Sequence, residues 1–152
     1  MFTNITILLL IIVTIYIYIY MNKKVEKFEQ NQKVYVKTAN NKFFTICADK
    51  HLCLTNDFAS KTVFNTMKFS DDLISLSSNG YYIASCFGDK CTNNMIKVNS
   101  FNPYAPNAKL RLTKEGDYHY VQLYDDMYLG VDENDHLIKT SDKSQAIQIA
   151  FI

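Results

Sequence analysis

Four cysteines and three histidines carry most of the chemistry this chain could perform. The cysteines fall in two close pairs, Cys47-Ala48-Asp49-Lys50-His51-Leu52-Cys53 and Cys86-Phe87-Gly88-Asp89-Lys90-Cys91, with five and four residues intervening. Such spacings suit hairpin loops, and two strands leaving a tight turn bring paired Cα atoms to about 5.5 Å, within disulfide range. Two local disulfides are therefore expected, each closing a short loop for roughly 2 kcal/mol. Three pairings are formally open, and two other states compete: free thiols in a reducing compartment, or a metal set. In the metal set, His51 stands between Cys47 and Cys53, and Cys86 or Cys91 completes the ligands, although the spacing differs from a two-residue zinc knuckle.

No catalytic constellation accompanies them. His51, His119 and His136 are the only histidines, and none belongs to a His-Glu-x-x-His pattern. His119 lies in Tyr118-His119-Tyr120 and reads as a partly exposed strand residue. The acidic turn Asp132-Glu133-Asn134-Asp135 lacks the central glycine and distal glutamate of a calcium loop, so it reads as a solvated hairpin turn. Gly80 and Gly88 stand singly, which removes a phosphate-cradling loop. Neither an enzyme nor a cofactor is expected. Charge argues against nucleic acid too. Sixteen basic residues face fifteen acidic ones, and Arg111 is the only arginine, the better bidentate reader of phosphate and guanine.

Aromatic residues offer a different chemistry. Of eleven tyrosines and ten phenylalanines, alternating ones such as Phe43, Tyr82 and Tyr128 suit the core or the barrel's ends, while others fall in expected loops: Phe58, Phe87, Phe101, Tyr104 and Tyr124. The insertion Asn99-Ser100-Phe101-Asn102-Pro103-Tyr104-Ala105-Pro106-Asn107 carries both prolines of the chain. Proline lowers the entropy cost of ordering a loop, and aromatics anchor protein interfaces. Phe101, Tyr104, Phe87 and Tyr124 are the candidate partner-binding residues; the alternative for the insertion is that it only caps the bottom of the barrel.

The elements that must position these groups follow a repeating script. Val34-Tyr35-Val36, a turn at Asn40-Asn41, then Phe43-Phe44-Thr45-Ile46-Cys47 begins the first unit. Ile74-Ser75-Leu76, Asn79-Gly80 and Tyr82-Ile83-Ala84-Ser85-Cys86 begin the second, and Val121-Gln122-Leu123, Asp125-Asp126 and Tyr128-Leu129-Gly130-Val131-Asp132 the third. Cys47, Cys86 and Asp132 share one slot. Each unit runs on to an apolar closing strand, near Phe64, Leu110 and Ile149. Four short strands with period-two alternation, repeated over about 33–70, 71–116 and 117–152, predict a closed twelve-strand arrangement with one buried face.

The leading segment obeys other rules. No charge occurs from Met1 to Asn22, and Phe2 with the Ile, Leu and Val residues to Ile19 numbers twelve apolar side chains. As a helix of about 20 residues it would span roughly 30 Å, the hydrocarbon thickness of a bilayer. Residues 1–21 are therefore expected to be an uncleaved transmembrane anchor, with Tyr16, Tyr18 and Tyr20 at the headgroup level and Lys23, Lys24 and Lys27 on its flank. A polar tether, 22–32, leads to the domain at 33–152. The flanking lysines favour a cytoplasmic domain by the positive-inside rule, whereas paired cysteines favour an oxidising exterior.

The segment Ile74-Ser75-Leu76-Ser77-Ser78-Asn79-Gly80-Tyr81-Tyr82-Ile83-Ala84-Ser85, echoed by Val121 to Val131 with Tyr128-Leu129-Gly130, resembles the β-trefoil fold. It is most similar to the fascin-like and fibroblast-growth-factor/interleukin-like branches. That resemblance implies an all-β domain over nearly all of 33–152, and a β-sandwich is the alternative. The Gln-x-Trp signature of ricin-type lectins is missing, since the chain has no tryptophan. An anchor, lysines behind it and a cysteine-stapled head also resemble small envelope proteins of large DNA viruses, such as oral-infectivity factors of insect viruses and poxvirus entry-complex subunits. This second resemblance implies a single-pass virion membrane protein with an exterior head, contacting the bilayer and other membrane proteins in entry or assembly. A membrane-tethered glycan- or receptor-binding module of a cell is the alternative.

Overall fold

The computed structural model describes residues 13–15, 32–86 and 94–152. Val13 to Ile15 are helical and about half exposed. The rest of the expected anchor, the tether as far as residue 31 with Lys23, Lys24 and Lys27, and Phe87 and Cys91 lie outside the described residues. Among the described residues no helix is long and apolar enough to cross a membrane.

The domain is all-β. Its strands are β1 (Gln32–Val34), β2 (Val36–Thr38), β3 (Phe43–Ile46), β4 (Leu52–Thr55), β5 (Phe64–Lys68), β6 (Leu73–Ser78), β7 (Tyr81–Ser85), β8 (Ile96–Ser100), β9 (Leu110–Glu115), β10 (Tyr118–Gln122), β11 (Tyr128–Val131), β12 (Leu137–Thr140) and β13 (Gln148–Phe151). Antiparallel pairing runs β1-β5-β6-β9-β10-β13-β2. β1 and β2 flank Tyr35, whose N–H donates to the Ile152 carbonyl at 2.8 Å while its own carbonyl accepts from Ile152 N–H at 3.0 Å. The two are one extended run, so the path returns on itself. Thirteen strands stand where twelve were expected because this run changes partner at Tyr35, from β5 to β13.

Three hairpins, β3–β4, β7–β8 and β11–β12, project from that ring. Single bridges join them pairwise: His51 to Lys97, Cys53 to His136, and Met95 to Ile138. Pairing registers agree across the three units. Val34 faces Phe64, Ile74 faces Leu110 and His119 faces Ile149 around the ring. In the hairpins Ile46 faces Leu52, Ser85 faces Ile96 and Val131 faces Leu137. Leu52, Ile96 and Leu137 are fully buried, together with Val36, Phe44, Phe64, Leu76, Val121 and Ile149. Removing this apolar surface from water is the main favourable contribution to folding.

Local chemistry explains the turns. Asn79 and Gly80 both have positive φ, 50° and 79°, the pairing a two-residue hairpin requires. Asn41, Asp126 and Asp135 take the same left-handed conformation, which short polar side chains tolerate. A short 3-10 turn precedes each closing strand: Phe58–Ser60, Pro106–Ala108 and Lys143–Gln145. Asp57 and Asp142 cap the first and third through N–H groups of Ala59 and Ser144, while Pro106 at the start of the second removes an N–H that would need a partner. Gly130 packs tightly, because a Cβ there would lie 2.9 Å from Thr140 Cγ2 and 3.3 Å from the Gln145 carbonyl.

Strict alternation fails in β6, where Ile74 to Ser78 are all buried. At Ser75 the insertion of the second unit folds across this strand. Buried Ser75 donates its hydroxyl to the carbonyls of Ala108 (2.8 Å) and Pro103 (3.2 Å). Replacing Leu52 by Ala should cost about 2–5 kcal/mol in urea unfolding, whereas Lys68→Ala on an exposed position should stay within about 0.5 kcal/mol. A loss under about 1 kcal/mol for Leu52→Ala would contradict a shared core.

Candidate functional site

Two places gather chemically capable side chains, and the aromatic insertion is the first. β8 continues to Ser100, so the irregular stretch is shorter than the sequence implies. Asn102 shapes it: its side-chain oxygen accepts Tyr104 N–H at 2.9 Å, and its carbonyl accepts Ala105 N–H at 3.3 Å. Asn107 donates its side-chain amide to the Ser85 carbonyl at 3.0 Å, tying the far end of the loop to β7. With Ser75 holding the middle, the loop is fixed from three sides.

On this frame Phe101 is 77% and Tyr104 60% exposed. Phe101 rests on Tyr81 with ring centroids 4.7 Å apart, and Tyr104 meets Phe69 edge-on at 5.7 Å. The Lys50 ammonium sits 4.0 Å over Tyr81 and that of Lys109 5.0 Å over Phe69. Tyr124 lines a neighbouring cleft of about 240 Å³ together with Lys109, Arg111, Pro106 and Gln122. Lys109 thus reaches both the Phe69 ring that Tyr104 meets and the cleft that Tyr124 lines. Phe87 lies outside the described residues. Sequence reasoning found the loop but missed Tyr81 and Phe69 beneath it, whose alternation reads as core.

The second place is the cap where hairpins β3–β4 and β11–β12 meet. Cys47 and Cys53 form a disulfide, Cα atoms 6.0 Å apart, across the turn closed by Cys47 N–H to the His51 carbonyl at 2.9 Å. Cys86 is also disulfide-bonded. The third unit builds the same turn without a crosslink: Asp132 N–H donates to the His136 carbonyl at 3.0 Å. Asp132 holds it with its side chain, accepting N–H groups of Asn134 (2.9 Å) and His136 (2.8 Å) and lying 3.2 Å from His136 Nδ1. Because Leu54 N–H donates to the Asp135 carbonyl at 2.8 Å, the two turns are drawn together. One ligand atom each from Cys47, Cys53 and His136 falls within 4.8 Å of the others. His136, from a different unit, is the histidine grouped with these sulfurs, where the alternative metal set in the sequence would use His51. Its signal was present in the repeat: aligning Cys47 with Asp132 also aligns His51 with His136.

His119 sits mid-strand in β10, partly buried, its ring 6.1 Å from that of Phe151. No known protein family matches the sequence, and neither does any curated protein.

Several carboxylates are tuned by these turns. Ser60 and the Ala59 N–H hold Asp57 below the ordinary carboxylate range, and Ser144 does the same for Asp142. Burial pushes Asp132 upward, but the N–H groups of His136 and Asn134 and the His136 ring outweigh it, leaving a net lowering. A carboxylate lowered by folding stabilises the native state above its unfolded value, about 3.9, and loses that contribution as pH falls. Unfolding free energy should therefore hold steady down to about pH 5 and decline on acidification below about pH 4. Asp132→Asn should flatten part of that decline in urea titrations; an identical acid profile would show that Asp132 contributes nothing to it.

Proposed function

We propose that residues 33–152 form a β-trefoil head, held to a membrane by residues 1–21, that binds other proteins through the Phe101–Tyr104–Tyr124 surface. The observation that carries this reading is the rigid presentation of that surface. Phe101 and Tyr104 are largely exposed on a loop fixed by Ser75, Asn102 and Asn107. Large aromatics ordered before contact lose little entropy on binding, which is what interface anchors need. Lys50, Lys109 and Arg111 at the rim favour an acidic or carboxylate-bearing partner.

Support for the trefoil over a sandwich comes from the returning strand path and the matched registers of three units. Support for anchoring is the length and apolar character of residues 1–21, with Lys23, Lys24 and Lys27 behind them. The Cys47–Cys53 bond favours an exterior head. With the resemblance to small viral envelope proteins, these features favour a virion membrane component acting in entry or assembly.

Phe101→Ala with Tyr104→Ala should weaken capture of membrane partners by the full-length chain at least tenfold, with unfolding changed by no more than about 0.5 kcal/mol. Unchanged capture would remove the surface from consideration, and glycan-array binding lost in the same variant would reassign it to sugars. The full-length protein should also resist alkaline carbonate extraction from membranes; its release would count against the anchor.

A further inference from the structure

The cystine at the cap lies beside a histidine prepared as a ligand. We propose that Cys47, Cys53 and His136 constitute a zinc site that the disulfide closes and that reduction opens. Zinc takes thiolate and imidazole ligands in tetrahedral sets, and three protein ligands with an open fourth position are common. The three donor atoms lie within 4.8 Å of one another, whereas a tetrahedral zinc site needs roughly 3.3–3.8 Å between ligands. Contraction of about 1 Å is within side-chain rotation on a fixed backbone. The Cα separation of 6.0 Å lets the two sulfurs part without moving the hairpin.

Two further observations favour a ligand here. His136 Nδ1 lies 3.2 Å from the Asp132 carboxylate, which leaves Nε2 as the nitrogen with a free lone pair. A carboxylate behind a histidine is the usual outer support of metal-bound imidazole, fixing its tautomer and direction. His51 lies close by but outside that group of three: its Nε2 is buried with no hydrogen-bond partner, and its ring centroid is 6.0 Å from that of His136. The His51 carbonyl, 3.4 Å from Cys47 Sγ and 3.9 Å from Cys53 Sγ, stands ready to accept from thiols when they form.

The step is a two-electron exchange. A phosphine gives two electrons to the Cys47–Cys53 bond, becomes the phosphine oxide with oxygen from water, and the two water protons end on the sulfurs. Zinc then displaces both protons, forming two Zn–S bonds, and takes the His136 lone pair. Either state staples the first hairpin, and the metal adds a side-chain link to the third unit beside the Leu54–Asp135 backbone bond already joining the two turns. Disulfide and zinc thus exclude one another, and the cap reports the redox state of its compartment.

The full-length chain in detergent, reduced with a water-soluble phosphine and titrated with Co²⁺ and then Zn²⁺, tests this. Reduced protein should show the intense visible bands of tetrahedral cobalt thiolate, bleached by about one equivalent of Zn²⁺, while oxidised protein shows none. Cys86→Ser with Cys91→Ser should keep the bands, so the other cysteine pair is not their source. His136→Ala should weaken Zn²⁺ binding at least tenfold and Asp132→Asn about 10–100-fold. Zn²⁺ should also raise the melting temperature of reduced Cys86→Ser/Cys91→Ser protein and leave that of the oxidised protein unmoved. Missing bands in reduced wild type, binding by oxidised protein, or undiminished affinity in His136→Ala would each overturn the site.

Discussion

Closure of the strand path governs everything else in this domain. The run through Tyr35 pairs with β5 on one side of that residue and with β13 on the other, so the first and last units share a strand. Among the described residues the ring has no open edge to template pairing with another chain. Closure also commits each unit to supply the same few apolar side chains at the same depth. Leu52, Ile96 and Leu137 meet where the hairpins converge, and Val36, Leu76 and Val121 fill equivalent rungs of the ring. A unit alone could not bury these residues; three together enclose them.

The same arrangement explains why chemistry collects at the periphery. Ring and hairpin interiors are occupied by packing, so loops and turns are the places free to vary. Each unit has spent that freedom differently. The first closes its outer turn with Cys47–Cys53, and the third uses the Asp132 carboxylate in the corresponding place. The second lengthens its connection, and the added residues fold back over β6, burying Ser75 and presenting Phe101 and Tyr104 outward. Matched registers in the core leave the loops free to differ, and the differing parts carry the functional readings.

Convergence of the hairpins creates neighbours that no single unit possesses. Cys53 bridges to His136, and His51 bridges to Lys97, so the cap mixes side chains from all three units. Polar groups brought there must find partners or remain unsatisfied at a cost of about 1–3 kcal/mol each. Most are paired within their own turns; His51 Nε2 is not. This buried nitrogen without a partner belongs to a ring 6.0 Å from the His136 imidazole.

From the sequence alone came the all-β class, the three-unit script, the closing strands and the pairing of Cys47 with Cys53. These are legible because they depend on local properties: period-two alternation, Asn and Gly at positive-φ turns, and short loops that keep two cysteines within reach. The aromatic insertion was legible too, as a departure from the repeat. Tertiary structure decided which strand the Tyr35 run would pair with, that β6 is buried on both faces, and that Tyr81 and Phe69 lie against the aromatic rings of the insertion. It also chose His136 over His51 as the histidine beside the sulfurs. Those outcomes depend on contacts between units, and local spacing along the chain carries no record of which turns will meet across a closed ring.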